Sequence, residues 1–130
     1  MNRRRAALLL IAPFSSLAQQ QRKQPGLLVE VVEARSERTQ GKIVLDGVIR
    51  NVGTRSLSKL ILLFDLLDAD RKTISRRRGS IDQARFEPGD ESEFHFFVAD
   101  HARAVECSIH AEHAGGNEVD VLKPGPYPIN

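Results

Sequence analysis

The sequence predicts an all-β fold: a β-sandwich of about seven strands in one domain, preceded by a cleavable leader. Three observations carry this. Apolar runs of strand length recur every 10–15 residues after position 26. Several alternate with period two, which turns one face to a core and the other to water. Turn-forming residues fall between the runs, with gaps of hairpin length.

The first segment, MNRRRAALLLIAPFSSLA, is read as a signal peptide over residues 1–18. Arg3, Arg4 and Arg5 form a basic start, Ala6 to Phe14 a short apolar stretch, and Ser16-Leu17-Ala18 a small-residue cleavage site. The apolar stretch is about half the ~20 residues that span a bilayer, so no transmembrane anchor is expected after cleavage. Arg4-Arg5 leaves the twin-arginine route open beside the general secretory one. The expected location is the periplasm or the medium of a bacterial cell. Cleavage removes three of 19 basic residues and none of the 17 acidic ones, leaving a net charge of about −1. Bulk attraction to nucleic acid goes with it, and export also disfavours that partner.

Residues 19–26, QQQRKQPG, read as a flexible leader ending in a Pro-Gly breaker. Leu27 to Ala34 is the first expected strand, and Lys42 to Asn51, rich in β-branched residues, the second. Leu57 to Asp68 is the third and most apolar. Its periodicity alone does not separate strand from helix, but its length and the Asp68-Ala69-Asp70 turn favour strand. Thr73 to Ile81, rich in arginine, reads as an edge strand. Glu91 to Val98 sets Phe94, Phe96 and Val98 against Glu93, His95 and Phe97. Ala104 to Ala111 sets Val105, Cys107 and Ile109 against Glu106, Ser108 and His110. Asn117 to Leu122 is the last expected strand. The domain is thus placed at 27–122. Residues 123–130, with Pro124, Pro126 and Pro128, are expected to form an extended tail outside any ladder.

Phe64-x-Leu66-x-Asp68 resembles the motif of the FxLYD family of small immunoglobulin-like extracytoplasmic domains, with Leu67 in place of the family's Tyr. Gly47-x-Ile49-x-Asn51 before Gly53 resembles the family's preceding strand and turn. Phe86-x-Pro88-Gly89-Asp90 resembles its loop before a late strand. The resemblance implies an immunoglobulin-like antiparallel β-sandwich, non-catalytic, with structural roles for the matching residues. The residues point the same way. Phe64 and Leu66, two apart, face one core. Gly47 in mid-strand suggests a bulge or a close backbone approach. Asn51 can tie the following turn, and Asp68 can accept N–H groups in its own turn.

The chemistry-bearing residues give little sign of catalysis. On a strand His110 and Glu112 share a face while His113 points the other way, so no metal or cofactor is expected, and His95 could approach His110 only if their strands pair. Asp65, Asp68 and Asp70 lack the full calcium-loop pattern. Cys107 lies on the apolar side of its strand and reads as a buried hydrophobe. No phosphate loop or nucleophile elbow is present. The cluster Arg71, Lys72, Arg76, Arg77, Arg78 and Arg85 is either charge protection of an edge strand or a site for an anionic partner. The expected function is a non-enzymatic, exported interaction module. It binds a protein or envelope component through loops or edge strands, or a polyanion or small ligand through the basic segment.

Overall fold

Ten strands and no helix make up the part of the chain that the computed structural model describes, residues 25–130. The expected signal peptide and all but the last two residues of the leader lie outside it. The strands are β1 (Leu28–Thr39), β2 (Lys42–Asn51), β3 (Leu57–Ser58), β4 (Ile61–Leu67), β5 (Thr73–Ser80), β6 (Arg85–Phe86), β7 (Glu91–Ala99), β8 (Glu106–His113), β9 (Asn117–Leu122) and β10 (Tyr127–Pro128).

Seven of them run in the order β5-β4-β8-β9-β1-β2-β7. The path folds on itself as a sandwich because β9 turns the corner. Asn117 to Val119 pair antiparallel with β8, while Asp120 to Leu122 pair parallel with β1. One strand thus serves both layers, as at the corners of packed sheets. The other main pairings are antiparallel, as expected; the β1–β9 pairing is the exception. Phe64 of β4 meets Phe94 and Phe96 of β7 across the interior, with ring centroids 5.8 and 5.3 Å apart. Leu62, Phe64 and Leu66 bury on one side of β4 with Ile43, Leu45 and Ile49 of β2. Period-two alternation produces this face.

Gly47 sits where the second layer bends. Val32 is an extra residue in β1, because Val31 pairs with Ile49 and Glu33 already pairs with Val48. The bulge brings the Glu33 carbonyl onto Gly47, and the Phe94 ring closes from the other strand. The close approach expected of this glycine holds, whereas the bulge lies in the paired strand β1 and β2 runs regularly through Gly47.

The third expected strand is split. Lys59 adopts a φ of 51°, which breaks the run into β3 and β4. β3 pairs with the two-residue β6, burying Leu57 and Phe86 at one end of the core. β1 continues five residues beyond Ala34. Its polar sequence there hides the strand, but every residue to Thr39 has a partner in β2.

The expectation for the tail needs correction. Tyr127 and Pro128 pair with β8, and Ile129 is buried beside Ser36. Pro128 has no N–H to give, but its neighbours donate: Ile129 N–H to the Val105 carbonyl at 2.9 Å and Asn130 N–H to the Ser36 carbonyl at 2.9 Å. A proline whose missing donor falls off the ladder is compatible with edge pairing. Lys123 also reaches Glu30 at 2.9 Å, pinning the start of the tail.

Candidate functional site

Two strands end the seven-strand path, β5 and β7, and each has a hydrogen-bonded neighbour on one side only. They carry opposite chemistry.

β5 carries Arg76, Arg77 and Arg78 of the basic segment, with Arg71 and Lys72 just before it and Arg85 in β6. Its alternation puts Arg76 and Arg78 on the outer face of the layer. Arg76 grips Asp65 with two bonds, Nε to Oδ1 at 2.6 Å and an Nη2 bond at 2.9 Å. Asp65 is buried in spite of its charge, and His110 Nε2 lies 3.3 Å from its other oxygen. A buried carboxylate needs such a partner, and the fork geometry of arginine suits it. The Asp65 carboxylate in turn raises the Arg76 pKa through that hydrogen bond. Arg78 bonds Glu112 at 2.7 Å, Arg71 lies 3.4 Å from Glu106, and Arg85 lies 3.2 Å from Glu87. Four of the six basic side chains are therefore met by carboxylates, two of these coming from β8. Spacing along the sequence could not have found those acids, since Glu106 and Glu112 on β8 reach the basic segment only across β4. Arg77 falls on the core-side face of β5, opposite Phe64, yet stays exposed. An inward charge of this kind blunts a sheet edge.

Ser108, His110 and Asp65 also lie together, which raises the question of a hydrolytic triad. Ser108 Oγ is 3.3 Å from His110 Nε2. The same nitrogen faces Asp65. A triad needs the two partners on different ring nitrogens, one to orient the imidazole and one to take the proton. This arrangement does not supply that relay.

The other singled-out groups are dispersed. His95 on β7 bonds Asp46 on β2, in the opposite layer from His110. Glu112 is held by Arg78. His113 faces inward, its Nδ1 accepting the Ser58 N–H at 3.4 Å, while its buried Nε2 has no hydrogen-bond partner. Burial first, and Arg55 second, push its pKa down. Among the described residues no three of His, Cys, Asp or Glu gather as a metal-holding group. Cys107 is buried, and burial pushes its thiol up to about 12, so thiolate is scarce at neutral pH.

Asn51 and the loop from Phe86 to Asp90 converge, although they are far apart in sequence. Asn51 is fully buried. Its Nδ2 donates to the carbonyls of Arg55 and Phe86 at 3.0 and 2.8 Å, and its Oδ1 accepts the Gly53 N–H at 2.9 Å. Its backbone accepts from Gly89 at 2.8 Å and donates to Asp90 at 2.9 Å. Gly89, after Pro88, has a φ of 91°, a conformation glycine adopts without strain. The loop before β7 is thus docked on the end of β2.

Asp68 Oδ1 accepts the N–H groups of Asp70 at 2.9 Å and Lys72 at 3.0 Å. The Lys72 amide chiefly, then that of Asp70, hold its pKa below the ordinary aspartate range. A carboxyl with a depressed folded value contributes stability that is complete above its unfolded value of about 4. That contribution is lost as pH falls through the folded value. Asp68→Asn is expected to lower the urea midpoint at neutral pH. The gap to the parent should close below the depressed value, where the parent is itself uncharged. A gap that stays constant with pH would show that the charge is not involved.

β7 is the contrasting edge. It runs nine residues, pairs with β2 without a bulge, and contains no Pro, Lys or Arg. Its outer face presents Glu91, Glu93, His95 and Phe97. Phe97 is 59% exposed, with Lys42 5.3 Å above its ring and His95 against its edge at 4.8 Å. Glu91 is bonded by Arg50, whereas Glu93 has no ion-pair partner among the described residues.

No protein-family model matches the sequence, and no curated protein matches it either. Solved structures do. A beta-glucuronidase from glycoside hydrolase family 2 aligns with a TM-score of 0.53 at 8% identity, over 72% of this chain and 12% of that one. IrmA from Escherichia coli aligns with a TM-score of 0.51 at 13% identity, over 82% of this chain and 99% of that one. This chain therefore spans about an eighth of the glucuronidase but nearly all of IrmA. At such identities the likeness is one of fold, and it places the chain among β-sandwich domains.

Proposed function

We propose that the chain is an exported, non-catalytic interaction domain that engages a partner protein through the free edge of β7. The observation that carries this reading is the contrast between the two sheet edges. β5 has its arginines met by carboxylates and an inward charge, while β7 is long, regular and carries an exposed aromatic ring. An edge with no proline, bulge or inward charge is the usual place for strand addition. The resemblance to FxLYD domains supports a non-catalytic module, and the basic, apolar and small-residue order of residues 1–18 supports export. The anionic-partner reading is weakened because most of the basic segment already has partners.

The test uses the mature chain as bait on an envelope extract, with each captured protein remeasured against variants. Phe97→Asp is expected to weaken binding by about 30-fold, the scale of one central aromatic contact. Lys72→Glu with Arg77→Glu is expected to leave it within about twofold, as for rim charges. The reverse pattern, with strong salt dependence, would move the site to β5.

A further inference from the structure

We infer that the β7 edge takes an extended segment of a different chain, antiparallel, with an apolar residue opposite Phe97 and a basic residue opposite Glu93. This rests on the edge-pairing reading above and adds the chemistry of the partner.

The outer face of the β1-β2-β7 layer is ordered in rows, and each row ends at β7. One row runs Glu37, Val44, Phe97. Val44 is buried although it lies on the outer face, while Phe97 at the end of the row is largely exposed. The next position in that row needs an apolar side chain, since aromatic and β-branched neighbours stabilise each other across strands. A second row runs Arg35, Asp46, His95, with His95 bonded to Asp46. Here a hydroxyl suits best, because it can donate or accept as the remaining ring nitrogen requires. The third row runs Glu33, Val48, Glu93, two carboxylates and no cation. The position beside Glu93 calls for Lys or Arg. Read along an antiparallel strand, the order is apolar, any, hydroxyl, any, basic.

A second copy paired along the full length of β7 does not fit. Full antiparallel pairing of β7 with its own copy puts His95 opposite His95, and so sets Glu93 against Phe97 twice. Each copy would offer an acid where an apolar group is needed. The β5 edge of another copy offers Arg76 and Arg78 on its outer face, but its Ile74 packs against the core of its own domain. Its two guanidiniums are already held by Asp65 and Glu112, and Arg77 faces inward at that edge.

The experiment titrates the isotope-labelled mature chain with two capped nine-residue peptides of alternating Thr and Val. The first carries Val opposite Phe97, Thr opposite His95 and Lys opposite Glu93. The second replaces that Val by Ser and that Lys by Glu. Amide shifts and hydrogen exchange are read along β7. The first peptide is expected to protect β7 amides and bind about tenfold tighter than the second, the sum expected of two cross-strand pairs. In the variant Glu93→Lys the preference for Lys over Glu at that position should reverse. Equal protection by both peptides would overturn the inference and leave the edge reading intact. Protection by neither would overturn both. Protection of β7 that grows with protein concentration, without peptide, would give the edge to a second copy and also overturn the inference.

Discussion

Gly47→Ala is expected to destabilise the fold by about 3 kcal/mol, the upper range for overpacking a core. A Cβ at this position would meet the Glu33 carbonyl and the Phe94 ring, whose Cε2 lies 2.7 Å away. The carbonyl belongs to the bulge of β1, held to β2 by the pairs on either side of it, and Phe94 is buried against Phe64 and Phe96, so neither can step back freely. A native domain has only about 5–15 kcal/mol in reserve. With a urea slope of about 2 kcal/mol per M, the midpoint should fall by about 1.5 M. Adding Phe94→Leu relieves the ring contact and leaves the carbonyl one. The double variant should therefore recover part of the loss relative to the sum of the single ones, and strict additivity would show that the ring is not what resists.

Asn51→Ala is the second large effect, about 3 kcal/mol, and for a different reason. It leaves the carbonyls of Arg55 and Phe86 and the Gly53 N–H without their side-chain partner. Each buried group left unpaired costs about 1 kcal/mol or more. Asn51→Asp separates hydrogen bonding from packing, since it keeps the shape and the acceptor but points an oxygen at two carbonyls. It is expected to be at least as damaging as alanine at neutral pH, measured by urea unfolding. A near-native Asn51→Asp would mean that shape alone matters there.

These two residues also show what could be read before the fold was known. That Gly47 needed room, and that Asn51 would tie a turn, followed from a glycine in a strand and an Asx residue before a glycine. Which atoms they meet did not follow. Phe86 is 35 positions beyond Asn51 and reaches it only when β6 and the following loop close over β2. The same limit applies to the arginines. Their spacing marked β5 as an edge, but the carboxylates that hold Arg71 and Arg78 come from β8, which requires the β4–β8 register. Phe97 was correctly placed on the polar side of its strand by alternation. Nothing in its neighbours told that the strand would end the sheet. β3 and β6 were too short to leave a period, and the proline tail concealed a ladder whose hydrogen bonds come from the residues around Pro128.

The corner strand β9 has a consequence for how the chain folds. β1 can form its hairpin with β2 early, since the two are joined by a two-residue turn at Gln40-Gly41. The other side of β1 must wait for Asp120 to Leu122, some ninety residues later. Until β9 and the tail after it arrive, no backbone ladder joins the two half-sandwiches, each with an apolar face open. Closing so long a loop is entropically costly before any contact rewards it. The joining of the halves should therefore limit the folding rate, placing the domain among slow folders rich in non-local pairing. Substitutions in β9 should then act mainly on the rate of folding, while those in the β1–β2 hairpin turn act earlier on the path.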